Sequence, residues 1–141
     1  MRISQTVTRS PLLVCSLALA CGCMFTGVPS RDRFSVAIIN GSGRDIMTAE
    51  LHAPDGVTLY LGNVYFPYSG RVGTSAFPIE PALRLTWQTP DGQMLSRTFE
   101  TRGIRIGRHQ TLTFVFHTPE RVAMRVVSAT EFSRLAADFR Q

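Results

Sequence analysis

The chain has no lysine, and all fifteen of its basic residues are arginine. Cysteine is nearly as restricted: Cys15, Cys21 and Cys23 all fall in the first 23 residues, and the remaining 118 have none. The body of the chain therefore holds neither a disulfide nor a thiolate metal site, and must stand on its core alone. There is no Cys…Trp…Cys framework, so nothing in the sequence earns assignment as a true immunoglobulin domain. Charged residues are only 18 % of the chain, too few for a disordered polyelectrolyte. No apolar run reaches the roughly 20 residues that a membrane-spanning helix needs. Eight prolines and eleven glycines suit a domain with many turns, and they exclude collagen and a long coiled coil. With 141 residues there is room for one domain.

Signatures of chemistry are also missing. There is no G-x-S-x-G elbow, since Asn40-Gly41-Ser42-Gly43 reads as a turn. H-E-x-x-H, the P-loop and G-x-G-x-x-G do not occur. His52 with Asp55, and His117 with Glu120, stand three apart across turns, which falls short of the three or four ligands of a zinc site. The sequence thus points to no catalytic residue, no metal and no cofactor.

The N-terminus is richer. Met1–Ser10 carries Arg2 and Arg9 and no acid, Leu12–Ala20 is a nine-residue apolar run, and Ala20-Cys21-Gly22-Cys23 comes next. A positive start, a short apolar middle and a small-residue exit make a secretory signal peptide. With Arg2 and Arg9 removed, thirteen arginines face ten acids, a balance of +3 that is too mild for a nucleic-acid binder.

The exit resembles the lipobox of bacterial lipoproteins, where a small residue precedes a cysteine that is acylated and becomes the new N-terminus. Cys23, preceded by Gly22, fits, and Cys21, preceded by Ala20, fits closely behind; neither has the favoured leucine three positions upstream. The resemblance covers about 23 residues and implies attachment by three acyl chains, where one chain anchors only marginally. Met24 (or Gly22) stands where an aspartate would favour the inner membrane, which implies the periplasmic side of the outer membrane. Residues 24–33 read as a tether and 34–141 as the folded body.

Beyond the tether the apolar period is two. Phe34–Asn40 aligns Phe34, Val36 and Ile38; Ile46–His52 aligns Met47, Ala49 and Leu51; Val57–Leu61 aligns Val57, Leu59 and Leu61. Weaker strands are expected around Val64–Phe66 and Arg71–Phe77. Ala82–Thr89 presents Leu83, Leu85 and Trp87 on one face, and Met94–Arg102 comes after the second of two Pro-Asp-Gly turns. Gln110–His117 aligns Leu112, Phe114 and Phe116, and Arg121–Val127 aligns Val122, Met124 and Val126. About eight short strands with closely spaced turns predict an all-β protein, an antiparallel β-sandwich of immunoglobulin- or transthyretin-like architecture. The period then changes: Ser128 and Glu131 have capping-box spacing, and Phe132, Leu135, Ala136 and Phe139 form the stripe of one C-terminal amphipathic helix over about Ala129–Arg140. That helix should pack on the sandwich or cross its open end.

Two surfaces are candidates for binding. The densest positive segment is 102–109, with Arg102, Arg105 and Arg108, suited to an acidic protein surface or lipid headgroups. Residues 60–68 carry four aromatics, Tyr60, Tyr65, Phe66 and Tyr68. Alternation assigns Val64 and Phe66 to the core and Tyr65 and Tyr68 to the surface, with core packing favoured for the segment as a whole. Tyr60, Tyr65, Tyr68, Arg102, Arg105 and Arg108 are the candidate partner-binding residues, and aromatic and arginine anchors suit a protein interface.

In size, address and architecture the plan is similar to immunity lipoproteins that neutralise toxins of type VI secretion, phospholipase effectors among them. The resemblance implies a non-catalytic, lipid-anchored protein whose aromatic and arginine segments both contact the toxin. Structural lipoproteins of envelope machines share the plan, and a periplasmic hydrolase is the more distant alternative. Mass spectrometry of envelope protein is expected to find an acylated cysteine, Cys23 or Cys21, at the N-terminus. The Cys21→Ser/Cys23→Ser double substitution should release the protein from membranes; an intact, unmodified Met1 would refute the lipobox.

Overall fold

The computed structural model describes residues 33–75, 77–79 and 81–140. The acylation candidates Cys21 and Cys23 and tether residues 24–32 lie outside the described residues. Eight strands and one helix occur in order: β1 (Phe34–Asn40), β2 (Ile46–His52), β3 (Thr58–Val64), β4 (Tyr68–Ser75), β5 (Ala82–Gln88), β6 (Met94–Glu100), β7 (Gln110–Thr118), β8 (Arg121–Ser128) and α1 (Ala129–Asp138). They form two four-stranded sheets, ordered β4-β1-β7-β8 and β3-β2-β5-β6. The expected all-β sandwich is therefore the fold. Pairing is antiparallel throughout except between β1 and β7, which run parallel.

The core lies where the inner faces meet. Leu83, Leu85 and Trp87 of one sheet oppose Leu112, Phe114 and Phe116 of the other, and all six are buried. Trp87 meets Phe116 edge-on at 5.5 Å, and its indole N–H donates to the Pro119 carbonyl at 2.7 Å, so the polar atom of the largest core side chain is satisfied. Phe99 against Phe114 repeats the inter-sheet contact at 5.5 Å. On the side where β6 and β8 are the free edges, Arg97 reaches across, donates to the Val122 carbonyl at 2.7 Å and covers the Phe99 ring. Its guanidinium closes the sandwich and is not part of the basic loop downstream.

β1 and β7 are buried on both faces, which explains their nearly unbroken apolar sequences. Val36, Ile38, Leu112, Phe114 and Phe116 face the other sheet, whereas Ile39 and Val115 lie under α1. The helix seats Phe132, Leu135, Ala136 and Phe139 on these two, the stripe expected from the sequence. Ser128 caps it by accepting the Glu131 N–H at 3.2 Å. At its end the Phe139 ring lies against Gly41, where any Cβ would overlap it.

Both Pro-Asp-Gly turns have one geometry. Gly56 N–H donates to Ala53 O and Ala53 N–H to Val57 O, and Thr89, Gly92 and Gln93 repeat the pattern. The glycines take φ +88° and +90°, as a type I turn with a G1 bulge requires.

Simple alternation fails in β2 and β3. Thr48 takes φ +43°, and the register slips by one residue on each side of it. A β-bulge there breaks the ladder, so the Thr48 N–H goes to the Asn63 carboxamide at 3.0 Å instead. The extra residue puts Ile46 in the core with Ala49 and Leu51, while Met47, expected there, is only half-buried. Gly62, at φ +83°, forms a compensating bulge, so β3 runs on to Val64 where two separate strands were expected. Val57 is exposed just before β3 begins, because the first hairpin turn uses it as a closing residue. β4 accordingly begins at Tyr68 and ends at Ser75, ahead of the Arg71–Phe77 span read from the sequence.

One buried side chain organises the end where β1 finishes. Asn40 is fully buried; its amide nitrogen donates to Arg44 O at 2.9 Å and Val64 O at 2.8 Å. Its oxygen accepts the Ser42 N–H and lies 2.7 Å from the Ser42 hydroxyl. Asn40 thus ties the β1–β2 turn to the end of β3. Asn40→Ala leaves the Val64 carbonyl without this donor, and should lower unfolding free energy by roughly 2–3 kcal/mol. A shift of the urea midpoint at constant slope measures it.

Candidate functional site

Strand directions decide where the candidate residues sit. The parallel pair β1 and β7 starts at one end of the sandwich, with Phe34 and Gln110, and finishes at the other, with Asn40 and Thr118. The starting end, called lower here, also holds the β2–β3 turn, the 101–109 connection and the start of α1. The upper end holds the β1–β2 turn, the β3–β4 connection at 65–67, the second Pro-Asp-Gly turn and the β7–β8 hairpin. Strands of seven residues separate the ends by roughly 20 Å.

The aromatic segment lies at the upper corner, where the chain crosses from one sheet to the other. Tyr60 is 60 % exposed, Tyr65 60 %, Phe66 41 % and Tyr68 38 %. Only Val64 of the residues assigned inward is buried, so Phe66 is corrected to the surface and the core reading of the segment is overturned. The physical reason is that β3 ends at Val64. Residues 65–67 lie outside both strands, and alternation does not govern them. The connection is held from behind: Phe66 N–H donates to the Asp45 carboxylate at 2.8 Å, and Asn40 holds Val64. Tyr60 stands outward on β3 next to buried Leu61, whereas Tyr68 lines a small cleft with Ile39, Ala136, Phe139 and Arg140 against the helix. The four rings therefore wrap the free β3–β4 edge and corner.

The arginine loop lies at the lower end. Thr101 is buried and anchors it, donating its N–H to Pro81 O and its hydroxyl to Ile79 O. A turn closed by Ile104 N–H to Thr101 O comes next, with Gly103 at φ +78°. Gly107 N–H donates to the Gln110 side chain at 2.8 Å and secures the exit. Between these points Ile104 and Ile106 are half-buried, and Arg102, Arg105 and Arg108 stand outward. None of the three has a carboxylate within 4 Å among the described residues. Tyr65, Phe66 and Tyr68 therefore stand at the opposite end from these arginines, whereas Tyr60, the third residue of β3 and paired with Glu50, lies nearer the lower end.

The histidines are dispersed. His52 sits on the outer face of its sheet with Nδ1 2.9 Å from the Thr58 hydroxyl and Nε2 2.8 Å from that of Thr86, and Glu50 3.6 Å away. Asp55, its sequence neighbour across the turn, instead accepts the Val57 N–H. His109 belongs to the lower loop, and His117 lies at the upper end against the Phe139 ring at 5.6 Å. Among the described residues no three His, Cys, Asp or Glu side chains gather as a metal site would need. No helix among them is long and apolar enough to cross a membrane. Ser42 turns its hydroxyl to Asn40 and Arg44, in keeping with a turn rather than a nucleophile elbow. An open groove of about 460 Å³ runs beside Arg108 and His109, between Ala37 and the Phe132 side of α1.

No protein-family model and no curated protein matches this chain. An NMR structure of a protein from Eubacterium rectale is similar to it, with a TM-score of 0.48 and 13 % identity over 72 % of this chain and 92 % of that one.

His117 gives the upper end a pH response. Partial burial, then the charges of Arg121 and Arg125, hold its pKa below the ordinary 6.5. The unfolded chain therefore binds this proton more readily, so the folded state is undisturbed above about pH 6.5 and loses stability as pH falls below it. Urea midpoints measured at about pH 7.5 and pH 5.5 should differ in that direction, and His117→Gln should reduce the difference.

Proposed function

We propose that this chain is a non-catalytic, lipid-anchored protein facing the periplasm, which binds a protein partner through the aromatic corner at its upper end. The reading takes its address from the lipobox-like residues at 20–23, and its chemistry from one observation: four exposed rings on a single free edge and corner. Large aromatic side chains bury much area while freezing few torsions, and a rigid support lowers the ordering cost of binding. Tyr60, Tyr65 and Tyr68 stay as candidate anchors, and Phe66 joins them. The arginines at 102–108 leave this interface, because a partner seated on the corner would have to extend roughly 20 Å along the strands to reach them.

Among binders of this compartment, we infer an immunity protein that neutralises a type VI secretion toxin, such as a phospholipase effector. An exposed aromatic corner on a disulfide-free scaffold suits capture of a toxin outside the cytoplasm. The test asks whether a toxin gene adjoins this one and pairs the chain with its product. Wild type should protect cells from that effector in the periplasm. Each of Tyr65→Ala and Phe66→Ala should weaken binding of the purified pair by about 30-fold, the scale of an interface hot spot. The His52→Ala/His109→Ala/His117→Ala variant should protect as wild type does, which a hydrolase using these bases would not allow. Recovery of envelope-machine components alone from solubilised membranes, with no toxin bound, would transfer the protein to the structural class.

A further inference from the structure

The arginine loop shares its end of the sandwich with the point where the chain enters from the N-terminus. Arg33 and Arg108 line one open groove of about 410 Å³, together with Phe34 and Ile106. We infer that this lower end is a membrane-facing surface, on which Arg33, Arg102, Arg105 and Arg108 rest against the anionic phospholipids of the bilayer that holds the anchor. The inference deepens the proposed function and rests on its lipid attachment.

Three observations carry it. The first is connectivity: Arg33, where the chain enters the sandwich, stands at the lower end, ten steps and at most about 35 Å from Cys23. The second is charge. The 102–109 segment holds three arginines and no acid, and Arg33 shares a groove with Arg108. The segment is thus locally basic beside the point where the chain enters the sandwich. The third is presentation: Ile104 and Ile106 turn inward and leave the arginines exposed, with no carboxylate partner among the described residues. Attraction of basic side chains to anionic lipid extends only about a Debye length, so such a surface is effective only where a tether already holds it close. An orientation with this end down presents the aromatic corner away from the bilayer.

The test uses the full chain purified from membranes and reconstituted on vesicles of phosphatidylethanolamine and phosphatidylglycerol (3:1) or of phosphatidylcholine alone. Hydrogen exchange should slow several-fold across residues 102–109 on the anionic vesicles only, stay unchanged at 65–69, and return to the free rate in high salt. The Arg102→Gln/Arg105→Gln/Arg108→Gln variant should lose the protection, and the corresponding triple lysine variant should keep it, since the surface acts through charge. Equal exchange on both vesicles overturns the inference. So does protection of 102–109 that appears on phosphatidylcholine when the protein partner is added, because it assigns the loop to that partner. Loss of the chain from both vesicles in about 1 M salt reports failure of the anchor instead. Low-salt sedimentation with the anionic vesicles then decides for the loop: about 100-fold weaker binding of the glutamine variant supports it, and equal binding overturns it.

Discussion

The whole structure depends on two sheets closing face to face with nothing covalent between them. Leu83, Leu85 and Trp87 press on Leu112, Phe114 and Phe116, and apolar burial at this seam holds the sheets together without a disulfide. Trp87 makes the seam specific. Its ring meets Phe116 edge-on, and its N–H finds the Pro119 carbonyl, which ties the β7–β8 hairpin to the core. Arg97 does a related task at one open side, where its chain covers Phe99 and its charge is spent on a backbone carbonyl. The outer face of the β1–β7 pair is closed by α1, so the middle of that sheet is sealed on both sides.

Within this frame the two ends of the sandwich differ in kind. The upper end is organised by the buried Asn40 carboxamide, with Asp45 and Asn63 taking backbone N–H groups that the ladder leaves free. Rings displayed on so tied a corner lose little freedom when a partner covers them, which supports the proposed interface. The lower end is organised by Thr101 and Gln110, which hold a loop whose isoleucines face in and whose arginines face out. Its nearness to the N-terminal entry gives the proposed anchor and the proposed lipid contact a common direction.

Much of the fold was legible in the sequence. β1, β2 and α1 begin where the period and the cap place them, and the inward faces of β5 and β7 are those that alternation assigns. The Pro-Asp-Gly turns were readable because only a positive-φ glycine closes that geometry. Local departures were not readable. The bulge at Thr48 exchanged Ile46 for Met47, and the end of β3 at Val64 released Phe66 from the alternation that had assigned it inward. The candidate residues were found as residue types, but their division between two ends was not.

Period, turn chemistry and the absence of cysteine after residue 23 were by themselves enough to determine a disulfide-free sandwich with a C-terminal helix, because these are properties of neighbouring residues along one chain. Only the tertiary structure decided that β1 runs parallel to β7 and that Tyr65, Phe66 and Tyr68 stand at the opposite end from the arginine loop. Those facts depend on which distant strands pair and in which direction, a choice made by the fit of whole faces against one another. No stretch of sequence carries that information alone.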